Sequence, residues 1–93
     1  MEETKRIRNR DEIPIEDKWA IEDLYATDAA WEAELATVQQ DQAYLASYMG
    51  KLGDSAEGLL DYLTHMEQTD VKSARLGNYC ARKADQDTRN PTY

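Results

Sequence analysis

The side chains of this chain that could take part in catalysis are few and widely spaced. Zinc-dependent peptide hydrolysis needs three protein ligands and an open position for water, and a helical His-Glu-x-x-His motif supplies two of those ligands. The chain has one histidine, His65, and Met66-Glu67-Gln68 follows it instead of such a motif. A zinc site built mainly from carboxylates has no support in the sequence. We therefore interpret His65 as a partly exposed helix residue.

Cys80, the single cysteine, is the other candidate for chemistry. A thiol nucleophile needs a base beside it, and His65 lies fifteen residues (80 − 65) before it. On one helix the two would be about four turns apart, and nothing in the sequence requires the bend that would join them. We interpret Cys80 as a small buried apolar residue. One cysteine excludes an internal disulfide and fits a reducing compartment.

Acidic residues form two clusters that could bind a cation. Asp85-x-Asp87 resembles the beginning of a calcium loop, but Asn90 stands at the position of the turn glycine and no glutamate closes the loop. The second cluster comprises Glu16, Asp17, Glu22 and Asp23. No cleft is indicated around either cluster, so we interpret both as solvated surface charge. The sequence assigns no catalytic, cofactor-binding or metal-ligating residue.

The charge balance of the chain disfavours partners with phosphate backbones. Its 93 residues carry a net charge of −8, which repels nucleic acid. The positive charge near the beginning lies at Lys5, Arg6, Arg8 and Arg10. We interpret it as a solvated arm, and a docking strip for an acidic partner is the alternative. We find neither a secretory leader nor an apolar run of about 18 residues, so we expect no membrane contact and a cytoplasmic location.

Two periodic apolar patterns predict a pair of long helices. Thr27 or Asp28 can cap the first helix, expected over about residues 28–49, and Asp54 or Ser55 can cap the second, expected over about residues 55–86. The first apolar stripe comprises Trp31, Leu35, Val38, Leu45, Met49 and Leu52. The second comprises Leu59, Leu60, Leu63, Met66, Ala74, Gly77, Ala81 and Ala84. Its small members would let another helix approach closely, while the polar stretch 67–72 leaves open a kink or a dividing loop.

The segment before the helices is expected to be extended, because Pro14 disfavours helical geometry at Ile13. We predict an all-α fold with a flexible arm over residues 1–12 and a helical lobe over residues 13–93. In this lobe a strap over residues 13–26 precedes an antiparallel helical hairpin. The tyrosines expected to pack on the helices, with ligand stacking as the alternative, are Tyr44, Tyr48, Tyr62 and Tyr79.

Three stretches of the sequence resemble the oligoendopeptidase F family, which comprises M3-type zinc metallopeptidases that cut short peptides. The first is Arg10-x-x-Ile13-Pro14-x-x-x-Lys18-Trp19-x-x-x-Asp23-Leu24-Tyr25-x-x-Asp28-x-x-Trp31. The second is Gly53-x-Ser55 with Leu59-Leu60. The third is Tyr79-x-Ala81 followed by Ala84-Asp85-x-Asp87-Thr88-Arg89-Asn90-Pro91-x-Tyr93. Together they cover nearly the whole chain but only the start of a family member.

The resemblance implies a mostly helical parent whose zinc motif lies far downstream, and whose N-terminal helices wall a channel for short, flexible peptides. No zinc ligand or base of the family maps onto this sequence. Our leading hypothesis is an N-terminal fragment, truncated before the zinc motif. It would shape substrate access, hold no cofactor of its own and have the remainder of the peptidase as its partner. The alternative is a standalone acidic hairpin that binds a protein or self-associates through an exposed apolar face.

Overall fold

In the computed structural model, which describes residues 6–93, an extended strap leads into two antiparallel helical arms. A short 3-10 turn at Arg10–Glu12 precedes the strap, and two more lie within it, at Ile15–Asp17 and Ile21–Asp23. Helices α1 (Asp28–Ala36) and α2 (Val38–Ala46) form the first arm, and α3 (Ala56–Gln86) forms the second. No strand occurs within residues 6–93. The predicted all-α fold of strap and helical hairpin is confirmed.

Side-chain caps fix where the two arms begin. The Thr27 hydroxyl accepts a hydrogen bond from the backbone N–H of Ala30 at 3.1 Å, and the Ser55 hydroxyl accepts one from Gly58 at 3.0 Å. Each bond satisfies a backbone donor that the first helical turn leaves without a partner. The connection between the arms contains Gly50 at φ 76°, a left-handed conformation that glycine adopts without steric cost.

The first arm is interrupted at Thr37, where a single long helix was expected. The Thr37 hydroxyl donates to the carbonyl of Glu34 at 2.7 Å and accepts a hydrogen bond from the Lys72 ammonium at 2.7 Å. Its own N–H bonds to Glu34 as well, which tightens the last turn of α1. A hydroxyl that competes for backbone groups in this way bends a helix, so α1 and α2 are two helices in one bent arm.

Helix α3 runs without interruption through the polar stretch 67–72, so the kink or loop that the sequence left open is absent. Thr69 donates its hydroxyl proton to the carbonyl of His65 at 2.8 Å, within the helix. Lys72 reaches across to the carboxylate of Asp41 at 2.5 Å. The polar centre of α3 is therefore a point of attachment to α2.

The buried core lies at one end of the hairpin, which we call the core end. The strap, the beginning of α1, the C-terminal half of α3 and the chain terminus meet there. Its buried residues are Ile21, Tyr25, Trp31, Leu76 and Tyr79. The rings of Trp31 and Tyr79 stack with centroids 5.7 Å apart, and the Trp31 indole donates to the carbonyl of Leu76 at 3.2 Å. Close aromatic packing with a satisfied indole stabilises this junction.

The opposite end, which we call the turn end, consists of α2, the connection 47–55 and the first turns of α3. The rings of Tyr48 and Tyr62 meet here with centroids 5.8 Å apart, but large apolar side chains stay exposed. Met49 is 84% exposed and Leu60 67% exposed. The chain measures 75 × 22 × 20 Å and its radius of gyration is 19.9 Å, against about 12 Å for a compact chain of this length. Much of the apolar surface is therefore left without cover.

The small residues of α3 are covered unequally, since Ala74 and Gly77 are exposed whereas Ala81 and Ala84 are half-buried. A Cβ atom placed on Gly77 would meet nothing within 4 Å. The first arm packs on another side of α3, where Trp31 contacts Leu76 and Tyr79 and where the rings of Tyr48 and Tyr62 meet. No other helix within residues 6–93 approaches Gly77 closely.

Candidate functional site

The lone histidine lies at the turn end, beside tyrosine rings. Its Nδ1 atom is 2.9 Å from the carbonyl oxygen of Asp61 and 3.4 Å from the carboxylate of the same residue. The imidazole packs on the ring of Tyr44, with centroids 4.3 Å apart. His65 is half-buried, close to the partly exposed position expected from the sequence.

Cys80 lies far from the histidine. Both residues belong to the uninterrupted helix α3 and are fifteen positions apart (80 − 65), which separates them by about 22 Å along the helix axis. The half-buried thiol packs against the core cluster at the core end. The structure therefore does not form a cysteine–histidine pair, and Cys80 takes the packing position that the sequence suggested.

The two acidic clusters are surface features. Both Asp87 carboxylate oxygens accept hydrogen bonds from the guanidinium of Arg89, at 2.9 and 3.1 Å, and this side chain lowers the pKa of Asp87. A carboxylate engaged by arginine does not present the ligand set of a calcium loop. The acidic residues of the strap are exposed on its 3-10 turns, namely Glu16, Asp17, Glu22 and Asp23.

Zinc does not fit the residues that the structure describes. A zinc peptidase centre requires three protein ligands that converge on one point. Across residues 6–93, no group of three histidine, cysteine or acidic side chains is placed to hold a metal ion. Among residues 6–93 the carboxylate beside His65 is that of Asp61, and the sequence contains no second histidine. We therefore derive no metal-dependent step from this chain.

Asp28 is the principal polar centre of the core end. It lies at the first position of α1, and its carboxylate accepts hydrogen bonds from the hydroxyls of Tyr79 and Tyr93. These bonds, first that of Tyr79, lower the pKa of Asp28, while Lys83 adds an ammonium at 3.9 Å. Burial raises the pKa of Tyr79, and the bond to Asp28 raises that of Tyr93 to about 12. One carboxylate thus joins α1, α3 and the end of the chain.

Asp61 has the same role at the turn end. Its carboxylate accepts hydrogen bonds from the hydroxyls of Tyr44 and Tyr48. They lower the pKa of Asp61, while that of Tyr48 is raised by the bond to Asp61. A general base works best when its pKa lies near the working pH. Asp28 and Asp61 have lowered pKa values and engaged oxygens, so both are structural acceptors.

Sequence reasoning did not identify these two aspartates as tyrosine acceptors. Asp28 was considered as a helix cap and as part of the family resemblance, and its partner Tyr79 lies 51 positions later. Tyr48 lies in the connection between the arms and Asp61 in α3, so the path of the connection decides whether they meet. The signal that could have identified them is an acidic residue on one arm together with tyrosines on the other arm at a similar distance from the connection.

Comparison with known proteins gives one consistent group of relatives. The chain is 36% identical over 95% of its length to oligopeptidase PepF of Bacillus subtilis (strain 168). It is 36% identical over 94% of its length to the chromosomal oligoendopeptidase F of Lactococcus lactis subsp. cremoris, and 37% identical over 92% to the plasmid form. The chain spans only 13–15% of the length of these relatives.

Other comparisons find no counterpart. No family profile matches the sequence, and no solved structure matches it. Among the helices that the structure describes, none is long and apolar enough to cross a membrane.

Proposed function

The resemblance of this chain to the oligoendopeptidase F family is confirmed by its relatives, and we propose that the chain forms the N-terminal helical segment of such a peptidase. The observation that carries this proposal is the extent of the match. Identity of 36–37% covers 92–95% of the chain, although the chain spans 13–15% of the relatives' length. Nearly all of the chain is therefore family sequence, and most of a family member lies outside it.

The proposed role is structural. This role is supported by the placement of the candidate groups, because His65 and Cys80 lie far apart on one continuous helix, and because Asp28 and Asp61 bind tyrosines. We assign the catalytic zinc and its ligands to the remainder of the peptidase, in a cytoplasmic protein. The hairpin would form part of the wall of the chamber that admits short peptides, the substrates that the relatives' names indicate.

The exposed apolar residues support a partner that covers them. They occur on the segment before α1, at Ile7, Ile15 and Trp19, and also at the turn end and along α3, where the most exposed are Met49, Leu60, Val71 and Leu63. Large contiguous apolar surfaces in soluble proteins mark sites of contact with other protein surface. In this proposal, the remaining polypeptide of the peptidase provides that surface.

A graft tests the proposal. In the Lactococcus chromosomal enzyme, the stretch that matches this chain is replaced by the corresponding residues of this chain. We expect the graft to cleave an internally quenched oligopeptide at a rate within about tenfold of the parent enzyme, since about tenfold corresponds to only 1.4 kcal/mol of misfit. A metal chelator should abolish this cleavage.

The matched control is a graft that carries Leu76→Lys, which places a charge in the buried core and should abolish activity through misfolding. The 93-residue chain alone, supplied with zinc, should show no cleavage. A correctly folded graft without activity, or zinc-dependent cleavage by the chain alone, would contradict the proposal. A tight dimer of the chain together with an inactive graft would favour an interaction module.

A further inference from the structure

A groove of about 500 Å³ runs between the strap and the C-terminal half of α3. We call it the strap groove. Its volume lies within the roughly 300–1,000 Å³ typical of small-molecule sites. Its apolar walls include Ile21, Tyr25 and Tyr79, which also belong to the buried core. The groove is therefore formed on the most tightly packed part of the molecule.

The strap groove is cationic, although the chain is acidic. Arg10, Lys18 and Lys83 line it together with one carboxylate, Glu22, so the lining carries +2 (3 − 1) while the whole chain carries −8. In the amide orientation that satisfies both groups, Gln86 accepts hydrogen bonds from the Arg10 guanidinium at 2.9 and 3.1 Å, which fixes that cation at the rim. An anion is attracted here and repelled by most of the remaining surface.

A solvent-exposed tryptophan lies beside these cations. Trp19 is 72% exposed, and it lines both the strap groove and a neighbouring hollow of about 390 Å³. The Arg82 guanidinium lies 5.6 Å from its ring centroid and pairs with the Asp85 carboxylate at 3.3 Å. An exposed indole offers a flat apolar contact to a ligand.

We propose that the strap groove binds a small amphipathic carboxylate. The carboxylate pairs with Lys18 and Arg10, and the apolar body lies against Trp19 and Ile21. The C-terminal residue of a short peptide has this chemistry. The inference is independent of the proposed role in a peptidase, since it requires only that the strap packs on α3.

Nuclear magnetic resonance of the full 93-residue chain tests the proposal through its two indole N–H signals. The Trp31 indole is bonded to the carbonyl of Leu76, so a dispersed signal reports an assembled core. The Trp19 indole reports on the groove. We expect N-acetylphenylalanine to shift the Trp19 signal and to leave that of Trp31 in place. N-acetylphenylalaninamide, which lacks the negative charge, should bind at least about tenfold more weakly because charge-assisted hydrogen bonds are the stronger ones.

Two variants and a third probe define the groove. Lys18→Gln should weaken the binding of N-acetylphenylalanine at least about fivefold, because it removes one of the two cations assigned to the carboxylate. It should leave the binding of the amide unchanged. Lys51→Gln, which removes an exposed cation at the turn end, should change neither. Inorganic phosphate should compete weakly, since it has no apolar body. Equal affinity for acid and amide, phosphate binding as tight as that of the acid, or an unmoved Trp19 signal would overturn the proposal. An undispersed Trp31 signal would do so too, because the groove exists only on a packed core.

Discussion

The core end and the turn end of the hairpin use similar residues with different results. Each contains several aromatic rings and an aspartate that accepts hydrogen bonds from two tyrosines. At the core end Tyr79 is 2% exposed, whereas at the turn end Leu60 is 67% exposed. The difference lies in how many elements meet. The strap and the chain terminus join the two arms at the core end, but only α2, α3 and their connection form the turn end.

This comparison indicates what two helices can and cannot do. A pair of helices buries one seam and leaves the remaining faces in water, so a third element is needed to close a core. The strap provides it through Ile21 and Tyr25, which are buried against Tyr79. Arg75 holds the strap in place, since its guanidinium donates to the carbonyl of Leu24 at 2.7 Å and lies 5.0 Å from the ring centroid of Tyr25. No equivalent segment within residues 6–93 covers the turn end.

The largest expected difference in stability is between two leucine-to-alanine variants, one at each end of α3. Leu76 is buried at the core end and Leu60 is mostly exposed at the turn end. We expect Leu76→Ala to cost about 2–5 kcal/mol of unfolding free energy, because it leaves a cavity in the core. Leu60→Ala should change it by less than about 0.5 kcal/mol. Urea unfolding followed by circular dichroism measures both, and equal losses would refute the distinction between the ends.

The second effect concerns Asp28, which joins three parts of the core end. Asp28→Asn keeps the shape of the side chain and removes the charge of the carboxylate, which accepts hydrogen bonds from Tyr79 and Tyr93. We expect a loss of about 1 kcal/mol, reduced from the value for a buried charged acceptor because Asp28 is partly exposed. The same change at Asp61 should have a smaller effect, since fewer elements meet there. Thermal unfolding of the two variants compares them, and a larger loss for Asp61→Asn would reverse this ranking.

The pH dependence of stability follows from the same bonds. The pKa values of Asp28 and Asp61 are lowered in the folded chain from their ordinary value of 3.8. Their stabilisation is therefore present above that value and is lost as the pH falls through the folded-state pKa. The pKa of Tyr93 is raised from 10.0 to about 12, so its stabilisation is present below 10.0 and is lost as the pH rises toward about 12. Unfolding midpoints across pH should fall on both flanks, and Tyr93→Phe should make the alkaline fall shallower without removing it, because Tyr48 and Tyr79 also have raised pKa values.

The smallest effect is expected at Thr37, where the first arm bends between the two ends. Thr37→Ala removes the hydroxyl that bonds Glu34 and Lys72, and it introduces the best helix former. The loss and the gain oppose each other, so stability should change by less than about 0.5 kcal/mol. Helical content by circular dichroism should rise slightly as α1 and α2 join. An unchanged or lower helical content would show that the bend does not depend on this hydroxyl.

The sequence predicted those features that depend on nearby residues. Apolar periodicity indicated the two arms. The sequence offered two N-cap candidates for each arm, and the N-caps in the structure are Thr27 and Ser55. Pro14 and the apolar residues after it predicted an extended strap. The family resemblance came from spacing in the strap and at the end of α3, and the relatives confirm it.

The sequence did not predict features that depend on contacts between residues far apart in the chain. The bend at Thr37 involves Lys72, which lies 35 positions later. The same lysine attaches the polar centre of α3 to Asp41, in the stretch where the sequence left open a kink or a loop. The exposure of Trp19 and the burial of Tyr25 depend on how the strap crosses α3. The division into an arm over residues 1–12 and a lobe stays a prediction, and residues 1–5 of that arm lie outside those that the structure describes.

Amide hydrogen exchange at the turn end tests the central claim most directly. It would be measured on the isolated chain and on the graft in the Lactococcus enzyme, with the core end as an internal reference. If the turn end is a surface that the rest of a peptidase covers, exchange over residues 45–63 should slow at least about tenfold more in the graft than exchange around Leu76. Equal slowing at both ends, or no slowing at the turn end, would contradict the account.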